Sequence, residues 1–377
     1  FIASDYNTGN MVGDIKLATL SDTSTTNVTG AELAPDNTAT STVTEANATT
    51  GWTNSGLATF ASSSTQAFLG TYSLQGIADS NGDLAHCTFT TVVGQCYAGS
   101  AAAYVVNGQG FTLKVGTSAG NNSYYESAAY TTAAWKVFSF SFVATSTSAF
   151  ISLTESSSSN DTSFFVDAVT VRLAEKDRTY NSNDLQIFGT PTKTVVATGN
   201  DLVAYAGFTT DGNYLQQTYN PDFDFTGDFS VTGWFKNATS ADTFIVRLRN
   251  STSAGAGFLI STGSNSTLTF AIYTQGFQAT GRTTVTTSAT HTNAYWEQVT
   301  AVRRGGALEI WVNGELINTT AGTAPADLTD TTTYPVTKLG QDYNNGAHFG
   351  GSLALWRVSA TAPSPEQIYK TYYDEHV

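Results

Sequence analysis

Apolar and polar residues alternate in short blocks along most of this chain, and clusters of Gly, Asn, Ser and Thr separate the blocks. Phe138, Phe140 and Phe142 fall on one side of a segment whose other side is Ser139 and Ser141. That period of two is the signature of a half-buried antiparallel strand. Comparable blocks run through 88–97, 111–115, 150–153 and 164–173. They resume at 228–236, 243–248, 257–261, 268–273, 297–303, 307–312 and 351–359. Asn313-Gly314 is the strongest hairpin signal, because both positions of a tight two-residue turn need positive φ. One helix is predicted, over 364–374, with Ser364 as N-cap, Pro365 at the first helical position and Glu366 in the first turn. The pattern predicts an all-β chain: two tandem β-sandwich (jelly-roll) domains with one short C-terminal helix.

The blocks divide the chain. Residues 1–31 hold one strand-like run, 14–20, followed by a polar stretch, and read as an N-terminal connector. Residues 32–173 read as the first sandwich. The densest charged run, 174–184, reads as the inter-domain linker, which proteases would nick at Lys176 or Arg178. Residues 185–377 read as the second sandwich. Phe1, with no initiator Met, reads as the start of a fragment or of the mature part of a longer chain. Trp52, Trp135, Trp234, Trp296 and Trp356 sit in alternating segments and are expected in the cores. There is no short-period repeat.

Composition narrows the function. Of 377 residues only 12% are charged while 12% are aromatic, so neither disorder nor long helices fit. With a formal charge of −14 and only 16 Lys plus Arg, the chain lacks the basic surface that nucleic-acid binding requires. No apolar run reaches membrane-spanning length, so no membrane insertion is expected. Cys87 and Cys96 are open to two readings, a local disulfide in an oxidising compartment or two buried thiols. A tight hairpin at Val93-Gly94 would leave them too far apart to bridge.

The second half resembles the laminin-G-like, concanavalin-A-like jelly-roll family. The resemblance is carried by Phe229-Ser-Val-Thr-Gly-Trp-Phe, Trp296-Glu-Gln-Val-Thr-Ala-Val-Arg, Leu308-Glu-Ile-Trp-Val-Asn-Gly-Glu-Leu and Gly350-Gly-Ser-Leu-Ala-Leu-Trp-Arg-Val-Ser. Where the family often has an acidic pair, this chain has Ala354-Leu355, so no metal is carried over from that strand. The first half is similar to the galactose-binding-like sandwich of carbohydrate-binding modules, through Thr50-Gly-Trp-Thr, Gly70-Thr-Tyr-Ser-Leu, Thr90-Thr-Val-Val-Gly-Gln-Cys-Tyr, Trp135-Lys-Val-Phe-Ser-Phe-Ser-Phe and Phe164-Phe-Val-Asp-Ala-Val-Thr-Val. The order of parts looks like the C-terminal region of tail-fibre or appendage proteins of marine bacteriophages. That resemblance implies a virion-surface or extracellular adhesin that binds host-surface glycans. It also implies a homo-oligomer, trimeric by analogy, in contact with other virion or surface proteins through the first domain and residues 1–31. The alternative is a structural fibre, decoration or filament subunit.

Catalysis finds no constellation. Glycosidases need two facing carboxylates, and Glu297, Glu309 and Glu315 have no acid two or four residues on. Glu309 and Trp311 read as a solvent-facing surface pair. The histidines are scattered, and no phosphate loop or nucleophile elbow appears. A non-enzyme is expected. Sugar binding asks for aromatic faces flanked by amides and acids, and Tyr124, Tyr125, Tyr214, Tyr343, Asn344 and Asn345 are the glycan candidates. Calcium is a candidate ligand of Asp79, Asn81, Asp83, Asp211 and Asp342, whose alternative reading is turn chemistry.

Overall fold

The computed structural model describes residues 14–35, 49–106, 109–156, 162–210, 212–248, 255–263, 265–274, 281–292, 294–322, 324–330, 334–344 and 346–376. The chain is mostly β, and its contacts divide it into two units, Ala31–Ala174 and Phe1–Gly30 with Glu175–Val377.

In the first unit, one five-stranded sheet has the order Trp52–Ser55, Leu84–Thr90, Ser148–Glu155, Phe111–Gly116, Tyr125–Glu126. The facing layer comprises Thr59–Ser63, Ser73–Ala78, Thr162–Glu175, Cys96–Val105 and Lys136–Val143. Phe111 sits between Phe138 and Phe164, with ring centroids at 6.0 and 5.3 Å, at the centre of an aromatic core. The block 88–97 is two strands, not one. Leu84–Thr90 and Cys96–Val105 belong to different layers, and a turn with Gly94 at φ 86° carries the chain between them. Cys87 and Cys96 are accordingly unbridged thiols, one on each layer.

In the second unit, an eight-stranded sheet runs Thr192–Val195, Val203–Ala206, Ser352–Ser359, Phe229–Lys236, Glu297–Arg304, Ala307–Val312, Glu315–Thr319, with Ile15–Thr19 also paired to Ser352–Ser359. A second layer runs Arg282–Thr290, Thr267–Tyr273, Gly257–Thr262, Thr243–Leu248, Val336–Leu339, Tyr214–Gln217, Leu185–Phe188. Phe229 meets Phe258 and Phe270 between the layers, and Phe235 meets Phe244. Gly233 is required here because a Cβ would lie 2.2 Å from the Trp356 ring. Asn313 and Gly314 form the anticipated turn, with φ 52° and 81°.

Two segments depart from the sequence pattern. Residues 15–19, within the expected connector, are a strand of the second unit, paired with Ser352–Ser359 and covered on both faces, since the successive residues Leu17, Ala18 and Thr19 are all buried. The charged run 174–184, read as the linker, belongs with the second unit from Glu175 on, with Lys176 exposed and its acids turned inward. Asp177 is buried, its Oδ1 accepting from Ala18 N at 2.8 Å and its Oδ2 from Asn183 N at 2.9 Å and Thr179 Oγ1 at 2.5 Å. Glu175 is buried against the Tyr205 hydroxyl at 2.5 Å. Asp177 and the amide of Asn183, which donates to Lys16 O at 2.8 Å, tie strand Ile15–Thr19 down.

Helix Pro365–Glu375 has its capping box at Ser364 and Gln367. It lies on the outer face of the eight-stranded sheet, Ile368 against Val302 and Trp311, and Tyr372 against Trp234. Its last residue, Glu375, is fully buried. It accepts from Trp234 Nε1 at 2.5 Å and Gln298 Nε2 at 2.9 Å, and pairs with Arg357. The helix also corrects the reading of Glu309 and Trp311. Trp311 is 8% exposed, and Glu309 accepts from its indole at 2.9 Å and from Arg304 at 2.8 and 3.2 Å, so the pair is covered. Of the five tryptophans expected in cores, Trp234 and Trp356 are fully buried, while Trp52, Trp135 and Trp296 are half-buried.

Candidate functional site

The second layer of the C-terminal unit has two differently used faces. Leu215, Leu339, Ile245, Ile260 and Phe270 form a cross-strand row directed into the core. One residue further along each strand, Gln216, Lys338, Val246, Leu259 and Ala271 form the matching row on the opposite face. Tyr214 and Tyr273 share that outer face by the same alternation. Tyr343, from the loop after strand Val336–Leu339, packs on Val246, Leu259, Ala271 and Tyr273.

That loop is closed by a bridge between Gln341 and His348, with Gln341 Nε2 and His348 Nδ1 3.3 Å apart. Within it Asp342 N donates to Ala347 O at 2.8 Å, Tyr343 N to Asp342 Oδ1 at 2.5 Å, and Gly346 N to Asn344 Oδ1 at 2.9 Å. Asn344 is exposed, while Asp342, Tyr343 and His348 are half-buried.

The electrostatics are unusual for a sheet face. Lys338 Nζ stands 4.5 Å from the centre of the Tyr214 ring, which stacks on Phe188 at 4.3 Å. Burial pushes the Lys338 ammonium down to about 8, with Asp342 pulling the other way. Burial likewise pushes the Asp342 carboxyl up, and the Tyr273 phenol to about 12. The guanidinium of Arg282 lies 5.5 Å from the Tyr273 ring. The sheet residues beneath are buried, so what reaches the surface is the half-buried Tyr343 ring with the carboxylate of Asp342, the amide of Asn344 and the imidazole of His348 beside it. Such a ring with polar neighbours can pack against a C–H face and hydrogen-bond hydroxyls together.

The structure gathers Tyr214, Tyr343, Asn344 and Asp342 from the candidates, although Tyr214 is buried beneath Lys338 and braces the site rather than touching solvent. Tyr124 and Tyr125 belong elsewhere. Tyr124 stacks on Phe142 at 4.5 Å with its hydroxyl bound to Thr145, and Tyr125 lies 5.8 Å from Phe140, so both brace the N-terminal sandwich. Asn345 and Asp211 lie outside the described residues. Asp79, Asn81 and Asp83 form a turn in which Asp83 Oδ2 accepts from the N–H groups of Asp79 and Ser80 at 3.2 and 3.0 Å. Among the described residues no three His, Cys, Asp or Glu side chains stand close enough to hold a metal ion. Sequence reasoning missed Lys338, Tyr273 and His348. The signal for Lys338 was available, as a lone charge inside the strand Val336-Thr-Lys-Leu, where lysine is rarely buried.

Residues 209–369 match the family model of the concanavalin A-like lectin/glucanases superfamily. The C-terminal unit thus carries a concanavalin A-like lectin-fold domain, and the whole site lies within the matched residues. A search of curated proteins returned no match. Among solved structures, the chain is similar to the binding domain of Paraclostridial Mosquitocidal Protein 1, at 13% identity over 53% of this chain and 49% of that one, with a TM-score of 0.42. It is also similar to domain 4 of an extracellular arabinanase from Geobacillus stearothermophilus, determined with arabinotriose, at 16% identity over 52% and 91%, TM-score 0.42. A SAP-like pentraxin from Limulus polyphemus matches at 15% identity over 42% and 75%, TM-score 0.33. The match spans about half the length of the mosquitocidal binding domain.

Proposed function

We propose that this chain is a non-catalytic adhesin, on a virion surface or outside a cell, whose lectin-fold unit binds host-surface glycans through loop 341–348. One observation carries the reading. The loop seats the half-buried Tyr343 ring on a buried sheet cluster and sets Asp342 and exposed Asn344 on either side of it in the chain, inside the lectin-family region. The absence of turnover is part of the proposal, supported by the commitments of the nearby acids: Glu309 is held by Arg304 and Trp311, and Glu297 lies 3.3 Å from His291. Glycan-array binding by the full chain tests it, with Tyr343→Ala expected to weaken Kd about tenfold or more. An array on which nothing binds would sink the reading, as would release of reducing ends from a bound polysaccharide.

A structural role between protein copies has one observation in its favour. Strand Glu315–Thr319 closes one edge of the eight-stranded sheet with all five residues exposed, Leu316 and Ile317 among them. An edge strand with exposed apolar side chains invites pairing, although Asn318 Nδ2 already donates to Thr286 O at 2.6 Å. A homo-oligomer, trimeric by analogy with tail fibres, would cover it. Sedimentation of the chain at micromolar concentration decides between oligomer and monomer.

A further inference from the structure

A second feature of the C-terminal unit lies at the other end of the sandwich. Strand Phe229–Lys236 begins beside it, while the same strand ends toward loop 341–348 through the Asp242–Gly350 contact. It is a groove of about 660 Å³ lined by Lys16, residues 221, 222 and 224–228, Arg304 and residues 360–362. That volume falls within the range of ligand sites.

Most charges on its walls are already committed. Asp224 pairs with Arg247 and accepts from the Tyr219 hydroxyl at 2.6 Å. Asp228 accepts from Arg303 Nη1 at 2.8 Å and Gly305 N at 2.9 Å. Arg304 is held by Glu309 and by Pro363 O at 2.7 Å. These groups are fixed by hydrogen bonds and present a preorganised surface. Three groups stay available. Lys16 Nζ makes no hydrogen bond or ion pair among the described residues. Asp222 uses one oxygen, Oδ2, for Asn183 Nδ2 at 3.0 Å. The Thr226 side chain is exposed at the lip. Lys16 and Asp222 line one cavity without forming an ion pair, which leaves a donor and an acceptor open to a ligand between them.

The charge balance indicates what that ligand is. The lining acids Asp222, Asp224 and Asp228 with Glu309 are matched in number by Lys16, Arg304, Arg247 and Arg303. The groove is therefore formally neutral on a chain of net charge −14, so it selects neither cations nor anions. It also lacks an open aromatic face, since Phe225 is buried and stacks on Phe229 at 4.8 Å. We propose that this groove is a second saccharide site, taking a neutral oligosaccharide whose hydroxyls are read by Lys16, Asp222 and Thr226. The proposal rests on the glycan reading above and adds a site chemically unlike the first, built on hydrogen bonds rather than on an aromatic ring.

Calorimetric titration of the full chain with neutral tetrasaccharides of glucose, galactose, mannose and xylose tests it. The expected result is that one of these binds at two sites per chain. Asp222→Asn should weaken one of them by about tenfold, as expected for one charge-assisted hydrogen bond. Thr226→Val, at an exposed position that does not burden folding, should weaken the same site, while Tyr343→Ala affects only the other. Binding at the groove should be insensitive to salt. Binding at a single site that is lost in Tyr343→Ala and untouched by Asp222→Asn and Thr226→Val overturns the groove while leaving the adhesin reading intact. Absence of binding by every tetrasaccharide overturns the groove, and the adhesin reading falls with it only if the glycan array is blank as well.

Discussion

The two units share an architecture and differ in where they place polarity. The N-terminal sandwich has one aromatic core, and its buried carboxylates brace loops: Asp167 Oδ2 accepts from Phe68 N and Leu69 N, each at 2.9 Å. The C-terminal sandwich carries further apolar clusters outside its central core, where a helix and a loop cover outer sheet faces. The C-terminal sandwich also buries charge. Arg247, Glu175 and Glu375 are buried with partners drawn from distant parts of the chain. The buried acid Asp167 of the N-terminal sandwich is satisfied by backbone N–H groups, whereas the buried ions of the C-terminal one are satisfied largely by other side chains. The C-terminal unit thereby acquires walls and rims of fixed polar groups. Both proposed saccharide sites lie in that unit.

The contrast can be broken most directly by removing one group from each unit. Glu375→Ala leaves the indole of Trp234, the amide of Gln298 and the Arg357 guanidinium without their acceptor, at a cost of about 3–5 kcal/mol. Phe111→Ala opens the N-terminal core at a cost of about 3–5 kcal/mol. Denaturant unfolding should show two transitions, each variant moving only its own. A shared transition that both variants move would end the separation.

The pH dependence should divide the units next. Burial pushes the Glu175 carboxyl up to about 7 from 4.5, against the pull of Lys193 and Tyr205. Between those values the folded unit keeps a proton that the unfolded chain releases, so its stability falls as pH rises. Lys338 acts oppositely at higher pH. From about 8 to 10.5 the unfolded chain holds the proton, so stability rises with pH. Glu175→Gln should flatten the first slope in the C-terminal transition alone, measured by denaturant midpoints across pH 4–8.

A smaller effect sharpens the N-terminal side. Burial pushes the Cys87 thiol up to about 12, and the thiolate is the reactive form. Alkylation of the native protein followed by peptide mapping should therefore label half-buried Cys96 well before Cys87. The smallest effect is at a turn. Asn313→Ala puts a Cβ without a compensating side-chain polar group at φ 52°, and should cost the C-terminal unit about 1 kcal/mol.

Much of this was legible in the chain itself. Period-two blocks such as 135–142 and 228–236 marked the strands and their buried sides, Asn313-Gly314 a hairpin, and Ser364-Pro365 with Glu366 the start of the helix. These are local signals, set by the pleat, by allowed φ and by the orphan N–H groups of a helix end. Tyr343, Asn344 and Asp342 were visible because a polar-flanked aromatic in a Gly/Asn-rich segment reads as a rim. What tertiary structure alone decided is which face each layer covers. Tyr124 and Tyr214 look alike in sequence to Tyr343, yet stacking on Phe142 and Phe188 turns them into supports. The run 174–184 looks like a linker, yet strand Ile15–Thr19 supplies the N–H that Asp177 needs. Glu375, an unremarkable acid near the chain end, becomes the anchor of a helix because Trp234, Gln298 and Arg357 converge beneath it. Alternation tells which residues share a side of a strand. Only the packing of segments far apart in the chain determines whether that side meets water, and so whether a charge there is solvated, paired or left open to a ligand.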